Sequence, residues 1–192
     1  MFIIYNFLLF LTLLFSPIII FIRIFLGKED QTRFLEKYGV FAKKNYVDGT
    51  IWIHGASIGE ILSIIPIVKK FEKDKRIKRI LITSSTTSSS QIFSKFKFKK
   101  TIHQFYPFDL NILTKYFISY WRPKLAIFVD SEIWPNMYNN LDKKKIPLVL
   151  LNARITEKSF NRWKFFPNFS NRIFKKITLA LPQNLESKKY LY

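Results

Sequence analysis

The chain has 192 residues, of which 48% are hydrophobic and 18% aromatic, so it carries enough apolar material for a packed domain and is not a disordered protein. It has no cysteine and two histidines, which excludes disulfides, thiolate catalysis and cysteine-ligated zinc. We therefore expect a mechanism with no metal and no cofactor. The formal net charge of +19 favours an anionic partner, such as a phosphorylated substrate or an anionic membrane surface.

Residues 1–22 form an apolar run long enough to cross roughly 30 Å of hydrocarbon as a helix. The run lacks the basic start and the small residues that a cleaved signal peptide needs, so we interpret it as an uncleaved membrane anchor. Arg23 and Lys28 follow it, and basic residues on that side predict that the rest of the chain lies in the cytoplasm. Pro17 leaves open a helix that lies in the membrane interface instead of spanning the bilayer.

A charged segment at 23–49 is interpreted as a linker with a short helix, because Phe34, Leu35, Tyr38 and Phe41 recur at roughly helical spacing. From residue 50 to residue 192, short apolar segments alternate with amphipathic ones. The predicted strands are 51–53, 80–82, 102–106, 125–129, 148–151 and 178–181. The predicted helices are 58–73, 91–98, 109–121 and 135–145.

Strands that alternate with helices indicate a parallel sheet, so 50–192 is predicted to be a Rossmann-like, doubly wound α/β domain. Asp109 is expected to cap the helix 109–121, and Pro135 suits the first turn of the next helix. Neither a Gly-x-Gly-x-x-Gly nor a Gly-x-x-x-x-Gly-Lys loop occurs, which weighs against a dinucleotide or nucleoside triphosphate site. His103 falls within an apolar strand and is interpreted as a core residue.

The segment from His54 to Glu60 joins the first predicted strand to the first predicted helix. Ligands of parallel α/β sheets bind beyond the carboxyl ends of the strands, and small residues such as Gly59 let a substrate approach the backbone. Ser57 and Glu60 also match a capping box, in which the glutamate only satisfies the start of the helix. The local pattern favours the capping role, because the helix dipole lowers the pKa of a carboxyl there and a general base would need burial or a neighbouring carboxylate.

Two further carboxylates, Asp130 and Glu132, directly follow the predicted strand 125–129. Two acids at a strand end are costly unless they bind something. The structural alternative is that Asp130 caps the next helix and Glu132 pairs with a surface lysine. Arg154 follows the next strand at the same edge, where it suits either bidentate binding of phosphate or carboxylate or a salt bridge to Glu157 or Asp130.

In chain order, these motifs resemble the N-terminal domain of the Kdo transferases, which add 3-deoxy-D-manno-octulosonic acid (Kdo) to a lipid A precursor in lipopolysaccharide biosynthesis. The matching segments are the apolar N-terminus, Ile51 to Glu60, Pro66, Tyr106 to Asp109, Pro123 to Leu125, Asp130 to Asn136, Ile146 to Val149, Asn152 to Arg154, and Gln183, Asn184 and Glu186. The resemblance implies a GT-B enzyme at the cytoplasmic face of the inner membrane. Its N-terminal domain binds the lipid acceptor, and its C-terminal domain, which we expect to be absent from this chain, binds CMP-Kdo.

By the same resemblance, Glu60 is the general base that takes a proton from the acceptor hydroxyl, with inversion and without a metal. Asp130 stands where the family has a glutamate linked to transition-state stabilisation, and its side chain is one methylene shorter. Glu132 is therefore the alternative acid. We assign acceptor binding to Ser57, Gly59, Glu132 and Arg154.

Two other functions remain open from the sequence. A non-catalytic, membrane-bound module that holds acidic lipid through its basic face accounts for the anchor and the charge. Nucleic-acid binding rests on charge alone, and the predominance of lysine over arginine is a pattern that AT-rich codon usage also produces, so we expect no nucleic-acid partner.

Overall fold

The computed structural model describes residues 1–41 and 49–191. Its strands are β1 (Thr50–His54), β2 (Ile80–Ser84), β3 (Thr101–Phe105), β4 (Pro123–Val129), β5 (Leu148–Ala153) and β6 (Leu179–Pro182). Its helices are α1 (Phe2–Phe25), α2 (Ile58–Lys73), α3 (Thr87–Ser94), α4 (Asn111–Trp121), α5 (Pro135–Lys143), α6 (Glu157–Lys164), α7 (Pro167–Phe174) and α8 (Leu185–Leu191). A 3₁₀ turn covers Phe34–Tyr38, where a short helix is predicted.

All six strands pair in parallel in the order β3-β2-β1-β4-β5-β6, which confirms the doubly wound α/β fold. Neighbouring strand residues serve opposite faces of this sheet: Trp52 belongs to one buried cluster and Ile53 to the other. The chain crosses from one half of the sheet to the other between β3 and β4. The strand order therefore reverses between β1 and β4, and that position is where doubly wound folds bind ligands.

Several helices differ from the sequence prediction. The helix expected at 91–98 is α3, which begins at Thr87 because Thr86 caps it by accepting a hydrogen bond from the Ser89 amide at 3.2 Å. Helices α6 and α7 were not predicted, since each has only eight residues and too few turns for a clear apolar period.

The predicted N-cap at Asp109 is wrong. Helix α4 begins at Asn111 with no side-chain cap, and the buried Asp109 carboxylate instead accepts hydrogen bonds from the amides of Asn136 and Met137 at 2.9 and 2.8 Å. Those amides belong to the first turn of α5, whose N-cap Trp134 offers no side-chain acceptor. A carboxylate distant in sequence therefore satisfies donors that the adjacent residue cannot.

The described part of the charged segment 23–49 packs on the edge of the sheet. Glu29 is buried and pairs with Lys37 at 2.7 Å and with Arg23 at 3.2 Å. Glu36 pairs with Arg33 at 2.7 Å and accepts a hydrogen bond from the Phe105 amide at 2.8 Å. These contacts hold the end of α1 close to β3.

Helix α1 lies against the domain along one face. The Tyr5 hydroxyl donates to Asp109 at 2.7 Å, and the Asn6 side-chain oxygen accepts from Asn136 at 2.8 Å. Ser16 is buried and hydrogen-bonds the Tyr38 hydroxyl at 2.7 Å. The opposite face is exposed and apolar, and among residues 1–41 and 49–191 this is the one helix long and apolar enough to cross a membrane.

Candidate functional site

The candidate site lies where the strand order reverses, at the carboxyl ends of β1 and β4. His54 is the last residue of β1, and Glu132 stands in the loop after β4. Glu60 lies in the first turn of α2, directly beyond β1. The fold thus brings side chains 78 residues apart in sequence to one crevice.

Ser57 caps α2 as the spacing predicts, but the Glu60 side chain bonds the Ser57 hydroxyl and the Ala56 amide and not the Ser57 amide of a full capping box. The Glu60 amide donates to the Ser57 hydroxyl oxygen at 3.3 Å, and the Ser57 hydroxyl donates to Glu60 Oε1 at 2.7 Å. Glu60 Oε2 accepts from the Ala56 amide at 2.8 Å. Each carboxylate oxygen therefore has one hydrogen bond from the protein and keeps a lone pair for another donor, such as a substrate hydroxyl.

Two glycines beside Glu60 differ in what surrounds them. A Cβ on Gly55 would lie 3.1 Å from Glu60 Cβ, so this glycine is needed for the glutamate to pack over the loop. A Cβ on Gly59 would meet only the Ser57 hydroxyl, at 4.0 Å. Because the protein's own atoms leave the space above Gly59 open, its lack of a side chain favours close approach by a ligand.

His54 is fully buried and links the two strand ends. Its Nε2 lies 3.2 Å from Glu132 Oε2, and its Nδ1 lies 2.9 Å from the Thr83 hydroxyl oxygen. Trp52 Nε1 donates to that hydroxyl oxygen at 2.9 Å, and the Thr83 carbonyl oxygen lies 3.2 Å from His54 Nδ1. The His54 ring therefore bridges β2 and the Glu132 carboxylate, with Nδ1 towards Thr83 and Nε2 towards Glu132.

The same carboxylate is held from the other side, since Trp134 Nε1 donates to Glu132 Oε2 at 2.8 Å. Burial raises the pKa of the Glu132 carboxyl, but the hydrogen bond and charge of His54 and the hydrogen bond from Trp134 outweigh burial and lower the pKa overall. Glu132 is therefore held ionised. The structural alternative considered for Glu132, an ion pair with a surface lysine, is therefore wrong.

Glu60 is shifted in the opposite direction. Burial raises the pKa of the Glu60 carboxyl, the hydrogen bonds from Ser57 and Ala56 lower it, and the nearby negative charge of Glu132 raises it. The net shift is upward, and a carboxylate with a raised pKa is a stronger base. Burial and a neighbouring carboxylate thus offset the lowering of the Glu60 pKa that the helix dipole would cause.

Asp130 adopts a left-handed backbone conformation with φ of 63°, and Asn152 does so at the neighbouring strand end with φ of 54°. Such backbone conformations are uncommon outside glycine and cluster at functional sites. The Asp130 carboxylate does not cap α5, because Asp109 does, so that structural alternative is also wrong. Burial raises the pKa of the Asp130 carboxyl, the Arg154 charge lowers it and the Glu132 charge raises it, with a net upward shift.

Arg154 is exposed at the end of β5, and its backbone amide donates to the Asp130 carbonyl at 3.3 Å. Its guanidinium forms no ion pair within 4 Å among the residues that the structure describes, so the salt bridges to Asp130 or Glu157 that the sequence left open are not formed. The guanidinium interacts with Asp130 only over a longer distance.

The structure thus brings Glu60, Glu132, Asp130 and Arg154 to one edge of the sheet, as their strand-end positions predict. Sequence reasoning missed His54, although it is the first residue of the singled-out segment. Its place at the carboxyl end of a buried strand was the available signal. His103 lies in β3 against Ser84, and burial and the Arg33 charge lower its pKa to about 3, which fits its interpretation as a core residue.

Residues 1–41 and 49–191 contain no cluster of three or more histidine, cysteine, aspartate or glutamate side chains arranged to hold a metal ion. The acids at the site are instead engaged by protein donors, with Glu132 bound by His54 and Trp134 and Glu60 by Ser57 and Ala56. What the arrangement offers is one ionised carboxylate, Glu132, and two carboxyls with a raised pKa, Glu60 and Asp130, at one edge of the sheet.

A parallel sheet in this strand order, with its acids where the order reverses, is the architecture of the Rossmann-like half of a GT-B glycosyltransferase. The fold resembles that of UDP-GlcNAc 2-epimerase from Neisseria meningitidis bound to UDP-GlcNAc, with a TM-score of 0.51, 14% identity, and coverage of 74% of this chain and 42% of that one. At this identity, the likeness establishes the fold alone.

The chain belongs to the 3-deoxy-D-manno-octulosonic-acid transferase (kdotransferase) family, whose model matches residues 32–192. A 3-deoxy-D-manno-octulosonic acid transferase from Rickettsia bellii is 39% identical over 94% of this chain and 43% of its own length. The transferase of the same name from Haemophilus influenzae is 29% identical over 83% of this chain and 38% of its own length. The chain spans about half the length of the curated relatives that it matches. These matches confirm the predicted family and the prediction that the chain is the N-terminal half of such a protein.

Proposed function

We propose that this chain is the acceptor-binding half of an inverting glycosyltransferase that transfers Kdo from CMP-Kdo to a lipid A precursor. The observation that carries the proposal is the Glu60 carboxylate. It has a raised pKa, is oriented by Ser57 and Ala56, and stands beside an open glycine at the edge where the strand order reverses. The proposal assigns CMP-Kdo to a second, donor-binding half, and it is supported by relatives that are about twice as long as this chain.

In the reaction, Glu60 accepts the proton of the acceptor sugar hydroxyl. The hydroxyl oxygen forms a bond to the anomeric carbon of Kdo, and the bond from that carbon to the CMP oxygen breaks with its electron pair leaving on CMP. Attack from the face opposite the leaving group inverts the configuration. General-base assistance of this kind contributes about 10²- to 10⁴-fold in rate.

The neighbouring groups have supporting roles. The His54 ring and Trp134 hold Glu132 ionised, and burial of Glu60, together with that negative charge, raises the pKa of Glu60. Ser57 and Gly59 form the surface on which the acceptor sugar rests. Asp130 faces the same crevice with no ion pair within 4 Å among the described residues, so it is available to stabilise positive charge that develops at the anomeric carbon.

The site works at the cytoplasmic face of the inner membrane, with α1 lying in the interface. Its contacts with the domain run from Phe2, which packs on Phe169, to Arg23, which pairs with Glu29. That separation is roughly 31 Å at the rise of an α-helix, so these contacts together hold the helix along the domain surface. An apolar outer face on such a helix suits the boundary between headgroups and acyl chains.

The test joins this chain to the donor-binding half of the Rickettsia bellii relative and measures transfer of labelled Kdo from CMP-Kdo to a diphosphorylated lipid A precursor. We expect transfer, and its loss in Glu60→Gln. If the joined protein binds the lipid but Glu60→Gln leaves transfer unchanged, the base assignment is wrong. If no transfer occurs while lipid binding persists, the chain is a non-catalytic lipid-binding module.

A further inference from the structure

A cavity of about 400 Å³ lies between the first half of α1, the helices α6 and α7, and the loops that follow β4 and β5. Its volume is in the range of small-molecule pockets. Ile4 and Leu8 of α1 line one side, and Trp163 and Phe166 line the other. The walls are therefore apolar and come from segments that are far apart in sequence. Ile4 is 55% and Leu8 56% exposed, so the cavity is open to the surface along α1.

Two guanidinium groups, those of Arg154 and Arg162, complete the lining. Neither forms an ion pair within 4 Å across residues 1–41 and 49–191. Two unpaired cations at the rim of an apolar cavity complement a ligand that has an anionic head and an apolar tail. Arginine is the side chain that binds phosphate in bidentate geometry.

The cavity adjoins the loop that carries the acids of the candidate site. Ser131 lines it and donates a hydrogen bond to the Arg154 carbonyl at 2.9 Å, and the next residues on either side are Asp130 and Glu132. Arg154 therefore belongs both to the lining of this cavity and to the sheet edge that carries the acids.

The α1 wall is fixed by the protein itself. Tyr5, which also lines the cavity, donates to the buried Asp109, and the adjacent Asn6 pairs with Asn136. Hydrogen bonds to buried partners hold this part of the helix in one rotation about its axis. A helix that served only as a tether would need no such fixed rotation.

We propose that this cavity binds an acyl chain of the phosphorylated lipid acceptor, that Arg154 and Arg162 bind its phosphate, and that α1 forms one wall of the acceptor site in addition to anchoring the chain. The inference rests on the proposed function for the choice of lipid. It adds Leu8, Arg162 and Trp163 to the residues that determine acceptor specificity.

The experiment measures binding of the full chain, in nonionic detergent micelles, to a radiolabelled, diphosphorylated, acylated glucosamine disaccharide. Leu8→Trp fills the cavity and keeps α1 apolar, and we expect it to weaken binding at least tenfold. Arg162→Gln removes one cation from the surface without touching the core, and we expect a loss of similar size. The matched controls are Ile18→Trp, on the exposed face of α1, and Arg76→Gln, an exposed arginine in the loop after α2.

Two further ligands distinguish the contribution of the acyl chain to binding from the contributions of the phosphate and of general membrane affinity. The deacylated disaccharide diphosphate should bind Leu8→Trp and the unchanged chain equally, but should lose affinity with Arg162→Gln. Vesicles of phosphatidylglycerol should bind Leu8→Trp and Ile18→Trp alike. If Leu8→Trp binds the acylated ligand as tightly as the unchanged chain, or if Ile18→Trp weakens binding of that ligand as much as Leu8→Trp does, the cavity is not an acyl site.

These readouts are independent of catalysis. If the joined protein transfers no Kdo but Leu8→Trp still weakens lipid binding selectively, the proposed function fails and the lipid cavity stands. If transfer proceeds with the same KM for the acceptor in Leu8→Trp, the proposed function stands and the cavity assignment is overturned.

Discussion

Replacement of Asp109 by alanine should strongly destabilise the protein, because one buried carboxylate serves three donors. The variant leaves the amides of Asn136 and Met137 and the hydroxyl of Tyr5 without an acceptor. An unsatisfied buried donor costs about 1 to 3 kcal/mol, so the two amides alone predict a loss of about 2 to 6 kcal/mol. Tyr5→Phe removes only the hydrogen bond from α1 and should cost about 1 kcal/mol.

The loss should also depend on pH in a defined direction. Burial raises the pKa of Asp109 to about 7 from its ordinary 3.8, against the opposing hydrogen bonds from Asn136, Tyr5 and Met137. Between these values the folded chain keeps a proton that the unfolded chain releases, so stability falls as pH rises, by at most about 1.4 kcal/mol per pH unit from this group. The difference between the unchanged chain and Asp109→Ala should therefore be larger at pH 5 than at pH 8.

The assay is urea unfolding in nonionic detergent, followed by tryptophan fluorescence at both pH values. The roles given to Asp109 would be refuted if Asp109→Ala lost less than about 1 kcal/mol of unfolding free energy at pH 5. They would also be refuted if the difference in unfolding free energy between the unchanged chain and Asp109→Ala grew towards pH 8. Equal losses in Asp109→Ala and Tyr5→Phe would mean that the contact with α1, and not the start of α5, dominates the energy.

Alanine substitutions at the two loop glycines should have different effects. Gly55→Ala places a Cβ against Glu60, so it should displace the carboxylate and lower kcat of the joined enzyme about 10- to 100-fold. Gly59→Ala should instead leave the free energy of unfolding in urea unchanged or raise it by up to about 1 kcal/mol, because alanine favours the helix. The same variant should raise KM for the acceptor. An unchanged KM would contradict the interpretation that a ligand approaches closely at Gly59. Glu132→Gln removes the negative charge that raises the pKa of Glu60, so the acidic limb of the pH–rate profile should move to lower pH, and a shift to higher pH would exclude this electrostatic role.

The parallel sheet and its acids could be predicted because their signals are local. Apolar segments of strand length alternate with amphipathic ones, and Glu60 and Glu132 each follow such a segment. Parallel strands then bring the two carboxylates to one edge by geometry alone. The capping geometry of Glu60 was also visible in its three-residue spacing from Ser57.

The roles of Asp109 and His54 could not be predicted in this way. The partners of Asp109 are amides 27 and 28 residues away, and local capping rules consider only adjacent residues. His54 acts through Thr83 and Glu132, which two different neighbouring strands bring to it. The cavity beside α1 depends on docking of that helix, and an apolar run predicts a helix without specifying which face is buried.

The most direct test of the central claim is the rate of Kdo transfer by Glu60→Gln in the joined enzyme, compared with Glu157→Gln as a control on the exposed start of α6. If Glu60 is the general base, Glu60→Gln should lose about 10²- to 10⁴-fold in kcat while it keeps its fold and its affinity for the lipid, and Glu157→Gln should transfer normally. Transfer by Glu60→Gln within tenfold of the unchanged enzyme would contradict the assignment and leave Glu60 with its capping role alone.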